Sequence, residues 1–351
     1  MPKAKKKRLP RDFEALLAQG DLARLQAVFD ECHVDARGGL MKQTALAFDQ
    51  CPDELARWLV ARGADLSAAD ERGNTPLHRR ARSRLSRIDV LLELGADVHA
   101  AGASIGTPLH AAADGKQVEH AARLLACGAD VEARNGEGLT PLELALRGCS
   151  NIDLEAMAAL ARLLLEAGAR RTPAMSRSVE EIGRRFEFHR EGFAAESVDA
   201  ASAALDALYA LFDVAPVPRR RLHDGASLIS VKATRWQEQH AELWELLVPS
   251  SGHAATVQGE VIRIAGRIAH EVDGNGGCHW DGDYRAMAHA FLAHVQTGIP
   301  LGGPELASAR TIVDDLVRRG EGDASHMAEL AVAWVLRNPT PVPLAKPRYR
   351  R

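Results

Sequence analysis

Four side chains in the second half of the chain have the residue types of acid–base chemistry: Glu260, Glu271, His279 and Asp281. A carboxylate beside an imidazole can move a proton near neutral pH, so these four, brought together, would make a hydrolytic pocket. The same stretch offers His270, His279, Asp281, Asp283, His289 and His294 to a transition metal, but at no recognised ligand spacing. Asp273, Asn275, Gly277 and Asp281 stand at positions 1, 3, 5 and 9 of a calcium loop. Cys278 and Tyr284 then fall where that loop needs its glycine and its bidentate glutamate, which argues against calcium. A structural reading competes with all three: Trp280 packs as an anchor while Asn275 and the glycines around it make a tight connection between helices. The chain holds no GxxxxGK[ST] phosphate loop, no HExxH, no GxSxG and no Cys/His spacing of a zinc finger, so no cofactor is implied.

Helices have to position these residues. Val257, Val261, Ile264, Ala265, Ile268 and Val272 fall on one face of a helix. Glu260, Arg263, Arg267 and Glu271 fall on the next face at spacings of three and four, the pattern of an ion-pair ladder. Further apolar stripes of helical period run over 179–186, 198–212, 236–248, 284–295, 305–317 and 326–336. Ser227–Val231 is the one short stretch with a strand-like pattern, and Asp213–Ala226, with Pro216, Pro218 and Arg219–Arg221, reads as an exposed linker. Residues 173–340 are therefore expected to be an α-helical domain, and 341–351 a proline-rich, basic and mobile tail.

The first half is organised by repetition. Thr75-Pro76-Leu77-His78 returns as Thr107-Pro108-Leu109-His110 and again as Thr140-Pro141-Leu142-Glu143, with Gln43-Thr44-Ala45-Leu46 as a worn earlier copy. Gly63-Ala64-Asp65, Gly95-Ala96-Asp97, Gly128-Ala129-Asp130 and Gly168-Ala169-Arg170 run in phase with it. In each unit a threonine caps a helix whose first turn holds a proline, where the missing N–H costs no helix bond, and a glycine ends the second helix. Neither helix can bury its stripe alone, so the units stack.

The motif and its period of about 33 residues closely resemble the ankyrin repeat. The resemblance covers roughly residues 11–172 and implies an all-α solenoid of about five helix-pair units, with 12–35 as a degenerate, polar N-terminal cap. In that family the motif Thr and His hydrogen-bond near the turn and tie one repeat to the next. This implies the same role for Thr75, His78, Thr107 and His110, with Thr140 a further repeat-structural residue. The family's first helices and hairpin tips line a concave binding face, which points to Ser67–Arg72, Ala100–Ile105 and Arg134–Glu137 as candidate contacts. In the last unit, Gly148–Met157 adds residues that map to a loop or to a lengthened outer helix.

The array departs from the family pattern at Arg79-Arg80-Ala81-Arg82-Ser83-Arg84-Leu85-Ser86-Arg87, where Arg80 replaces a small residue. Arg79, Arg82, Arg84 and Arg72, with Ser104 and Glu137, are the residues expected to meet a partner; the arginines would select an acidic patch.

The composition is 46% hydrophobic but only 5% aromatic, which suits helix-on-helix packing. Net charge is −3, with positive charge gathered at the two ends. A general nucleic-acid binder carries such charge on its folded body, so nucleic acid is disfavoured as a partner. Residues 1–11 are expected to be a disordered basic arm. Five cysteines without CxxC spacing, no run able to span a bilayer, and a start without the apolar core of a signal peptide predict a cytoplasmic protein with no membrane partner. The abundance of Arg over Lys and of Ala is that of GC-rich bacteria. The function expected is a protein–protein interaction module, whether adaptor, inhibitor or immunity-type neutraliser. The alternative is an enzyme, hydrolase-like in its C-terminal half, whose substrate the repeats recruit.

Overall fold

The computed structural model describes residues 4–102 and 104–350. Contacts divide them into two units, 1–186 with 194–217, and 187–193 with 218–351. Among the described residues, no helix is long and apolar enough to cross a membrane.

The first unit opens with strand β1 (Lys6–Arg8), helices α1 (Phe13–Gln19) and α2 (Leu22–Glu31), and strands β2 (Cys32–Gly38) and β3 (Gln43–Thr44). β1 runs parallel to β2, and β2 antiparallel to β3. The basic arm expected to be disordered is therefore tied down over Lys6–Arg8. Lys5 Nζ donates to the Phe29 carbonyl at 2.7 Å, Lys6 pairs with Glu31, and Leu9 is buried. Met1–Lys3 lie outside the described residues.

The repeats follow. α3 (Asp53–Val60), α5 (Asp89–Glu93), α7 (Val118–Ala126) and α9 (Leu154–Glu166) are the second helices of successive units. α4 (Pro76–Arg82), α6 (Pro108–Asp114) and α8 (Pro141–Arg147) are the first helices and pack side by side. Each second helix ends alike. Gly63, Gly95, Gly128 and Gly168 take φ between +87° and +100°, which a side chain would strain. The alanine after each glycine donates back to the carbonyl of Leu59, Leu91, Leu124 or Leu164, closing the six-to-one bond of a Schellman cap. Those four leucines are fully buried, and each such side chain contributes about 1.5–3 kcal/mol. The added residues of the last unit form a short turn at Asn151–Asp153 and lengthen α9 to 13 residues against 9 in α7.

The first compact unit runs on past residue 172, where the repeat period is expected to end. α10 (Pro173–His189) up to Phe186 and α11 (Ala195–Phe212) group with the repeats, and α11 packs on α9. Met175, Val179, Ile182, Phe186, Leu205, Leu208 and Phe212 are buried there. This pair carries no Thr-Pro-Leu-His marker, yet it covers the apolar end that a stack of repeats would otherwise leave open to water.

The second unit is a bundle of α12 (Trp236–Leu247), α13 (Val257–Ala269), α14 (Gly282–His294), α15 (Gly303–Arg319) and α16 (Ala324–Arg337). α13 packs against α12, α14 and α16, and buries Gln258 through Ala265 without a break. A π-helical turn, His270–Gly274, follows it. Ser227–Val231 forms no strand; Ile229 is buried and its N–H donates to the Pro339 carbonyl. The linker arginine expected to be exposed, Arg220, instead donates to the Trp244 and Val248 carbonyls and lies over the Phe188 ring. The tail expected to be mobile is extended but fastened. Gln258, itself fully buried, donates to the Asn338 and Thr340 carbonyls and accepts from Val342 N–H, and Tyr349 reaches Glu260 at 2.7 Å. Arg351 lies outside the described residues.

Candidate functional site

Thr75 and Thr107 begin α4 and α6 with extended backbone, and Pro76 and Pro108 occupy the first turn. That geometry turns the histidine three positions on back over the cap. Thr75 Oγ1 and N–H both lie on His78 Nδ1, at 2.8 and 3.3 Å, while His78 Nε2 meets the Gly106 carbonyl of the next unit at 2.8 Å. Thr107 and His110 repeat the arrangement, with His110 Nε2 at 3.0 Å from the Leu139 carbonyl. A carbonyl only accepts, so Nε2 carries the proton and Nδ1 accepts from the threonine; the neutral ring is the one that fits. In the third copy Glu143 takes the histidine's place, accepting from the Thr140 N–H while donating its own N–H to Thr140 Oγ1. His78 and His110 thus tie one unit to the next, while Thr75, Thr107 and Thr140 cap the first helix of their own unit.

A pH dependence follows. Burial lowers the pKa of His78 and His110, outweighing the carbonyl bonds that raise it, and burial lowers His240 and His294 in the same way. The unfolded chain, whose histidines titrate near about 6.5, then holds more protons than the folded one between that value and the folded pKa values. Stability is full above about pH 6.5 and falls as pH drops below it. The urea midpoint should therefore decrease from about pH 8 to about pH 5.5. An unchanged midpoint contradicts the buried neutral rings.

The exposed face beside α4 carries the partner-binding candidates. Two hollows adjoin there, of about 300 and 190 Å3, and share Asp49 and Arg79. Arg79, with its side chain 30% exposed, lies 3.8 Å from Asp70. Arg82 lines the smaller hollow and pairs with Asp114 of α6 at 2.7 Å. Leu85, 70% exposed, lines the larger one, and Arg84 is exposed next to it. Arg80 departs from the basic patch it belongs to in sequence: it is 1% exposed and points into the repeat, 3.9 Å from Asp53. Arg72 and Ser104 are exposed, and Glu137 is exposed but paired with Arg147 at 2.6 Å. Residue 103, in the tip that holds Ser104, lies outside the described residues. Sequence reasoning missed Asp49 and Leu85 as members of this surface; Leu85, an apolar residue inside a run of arginines, was the available signal.

The four acid–base candidates do not converge. Glu260 and Glu271 stand eleven positions apart along helix, a rise of about 16 Å. Glu260 is fully buried. Its carboxylate accepts from Arg263 Nε and Nη2 at 2.8 and 2.6 Å, from the Ala254 N–H at 3.0 Å and from the Tyr349 hydroxyl. Burial works to raise its pKa, but Arg263 and these donors prevail and hold it below the usual carboxylate range. Glu260 is a satisfied structural anion, and the rung of the ladder that it forms with Arg263 is buried. Tyr349, by contrast, is pushed up by burial and by that carboxylate. Asp281 caps α14, accepting from the N–H groups of Asp283 and Tyr284. Only Glu271 and His279 come together, with Oε2 3.5 Å from Nδ1. Trp280 stacks on Tyr284, centroids 5.2 Å apart, as an anchor.

Compared with known proteins, residues 106–136 match the family model described as "Ankyrin repeat". No other family model matches the rest of the chain. A search of curated proteins finds no match.

Proposed function

We propose, from the premise that this chain is an ankyrin-repeat protein, that it captures a partner protein on the face where α4 meets the preceding unit. Ankyrin repeats generally mediate protein–protein interaction. The observation that carries the finer reading is the pair of adjoining hollows at Arg79, which sets a cation, an exposed leucine and the Asp49 carboxylate side by side. A buried anchor beside a few placed charges is what concentrates binding energy in an interface. Arg79, Arg82 and Arg84 form one edge, so the partner segment presents carboxylates there and an apolar side chain to Leu85. Asp49 and Glu14 line the larger hollow together with Arg79, which makes the pattern of charge, rather than net sign, the selector. Adaptor, inhibitor and immunity-type neutraliser all work through such capture.

The test is affinity capture with the full chain, its Arg79→Glu/Arg82→Glu variant, and Arg310→Glu, an exposed position in the second unit. The double reversal should lower affinity for the captured partner at least ~10-fold, since reversed contact charges cost several kcal/mol. Arg82 keeps substantial solvent exposure, but Arg79 lies 3.8 Å from Asp70, whose side chain is 0% exposed, so the urea midpoint of the double variant is measured beside its affinity to show that the loss is one of binding. Arg310→Glu should bind as the parent does. Equal binding by the double variant and the parent sinks this placement of the interface.

A further inference from the structure

We propose that Glu271, Cys278 and His279 form a binding site for a divalent metal ion of the zinc class, with three protein ligands and one coordination position open to water. One ligand atom from each residue lies within 4.8 Å of the other two. Cys278 Sγ is 3.2 Å from His279 Nδ1, and Glu271 Oε2 is 3.5 Å from the same nitrogen. Metal bonds of about 2.0–2.3 Å in a tetrahedron place neighbouring ligand atoms roughly 3.3–3.8 Å apart. Two of the three separations already stand near that spacing.

The loop is shaped to give it. α13 ends in the π-helical turn His270–Gly274, an irregularity that recurs at functional positions. Gly276 and Gly277 then take φ of +62° and +71°, and Gly277 N–H closes on the Glu271 carbonyl at 2.8 Å. This reversal sets Cys278 and His279 over the Glu271 carboxylate. The carboxylate is held from behind, Oε1 by the His279 N–H at 2.6 Å and Oε2 by Asn275 Nδ2 at 3.1 Å. Such outer bonds orient a metal's carboxylate ligand.

Charge supplies an independent argument. Glu271 and Glu260 are both buried on the same helical rod, and Glu260 has Arg263 against it. Among the described residues Glu271 has no Lys or Arg partner; its one ionic neighbour is the His279 imidazole. A buried carboxylate without a permanent cation is costly, and a metal ion would compensate it. Thiolate, imidazole and carboxylate together favour zinc over magnesium or calcium, which take oxygen ligands. Binding would release the Cys278 thiol proton to solvent. Three protein ligands with an open fourth position is the arrangement of zinc sites that hold a water.

The test titrates the metal-stripped full chain with cobalt(II), which takes zinc's place and reports its ligands by colour. Cys127, the other exposed cysteine, is replaced by serine in every sample so that it cannot supply a thiolate. One equivalent of cobalt per chain should give a thiolate-to-metal charge-transfer band and the strong visible absorption of four-coordinate cobalt, both displaced by zinc. Cys278→Ser, at an exposed position, should abolish the charge-transfer band without changing the circular dichroism. His279→Ala and Glu271→Gln should weaken cobalt binding at least ~10-fold. No thiolate band in the parent, or a band that survives Cys278→Ser, overturns the site, as does affinity unchanged in both other variants.

Discussion

Replacing Arg263 with alanine should destabilise the protein by about 3–5 kcal/mol, a large part of the roughly 5–15 kcal/mol that holds a domain folded. Arg263 and Glu260 are both 0% exposed and joined by two hydrogen bonds in a fork. Removing the arginine strands a buried carboxylate whose remaining donors are a backbone N–H and the Tyr349 hydroxyl. Taking both charges away is a different experiment. Glu260→Leu with Arg263→Met should cost far less than Arg263→Ala, because burying the pair exacts a desolvation penalty that an apolar pair avoids. Acid supplies a second check. In the parent, Glu260 has its pKa lowered by folding, so its contribution is present above the unfolded value and lost as pH falls through the folded one. In the single variant the stranded carboxylate gains a proton on folding, so its stability deficit should shrink as pH falls towards about 4. Chemical denaturation of the three proteins checks both. A double variant no more stable than Arg263→Ala would show that packing, rather than charge, accounts for the loss.

Arg80→Met should leave the protein as stable as the parent or stabilise it by about 1–4 kcal/mol. Arg80 is as buried as Arg263 but poorly partnered. Its nearest carboxylate oxygen, on Asp53, lies 3.9 Å from Nη2, and its Nε and Nη1 have no hydrogen-bond partner among the described residues. Burial accordingly lowers its pKa, against the pull of Cys51, Asp53 and Asp49. Asp53 keeps 32% of its side chain in solvent and can lose this neighbour cheaply. Methionine follows the same unbranched path through the core without a charge to desolvate. A loss above about 1 kcal/mol would show that the long Asp53 contact stabilises the fold.

The two arginines illustrate how far the sequence could be read. The repeats were legible because their signals are local: a capping threonine, a proline in the first turn and a glycine at positive φ each act within four residues. The helices of the second unit were legible from periodicity for the same reason. Arg80 was not, because the run around it reads as a solvated face until the second helices fix which side of α4 is buried. β1 is a charge run whose strand character comes from β2, 24 residues on. Tyr349 lies 89 residues from the carboxylate it bonds, and α11 joins the array through α9 rather than through any motif of its own.

The candidate chemistry was legible in part. Glu271 and His279 stood out by residue type, but Asp281 spends its carboxylate on a helix cap and Glu260 on an arginine. Cys278 joins them only because two successive glycines turn the loop, a conformation that residue spacing does not encode.

The capture of a protein on the α4 face is tested most directly by photo-crosslinking. A photoreactive amino acid is placed at Leu85 in one protein and at Leu228 in another, both exposed apolar positions, the second lying in the other unit. The account predicts a crosslinked partner from position 85, lost when Arg79 and Arg82 are reversed to glutamate, and none from position 228. Crosslinking from position 228 alone would contradict it.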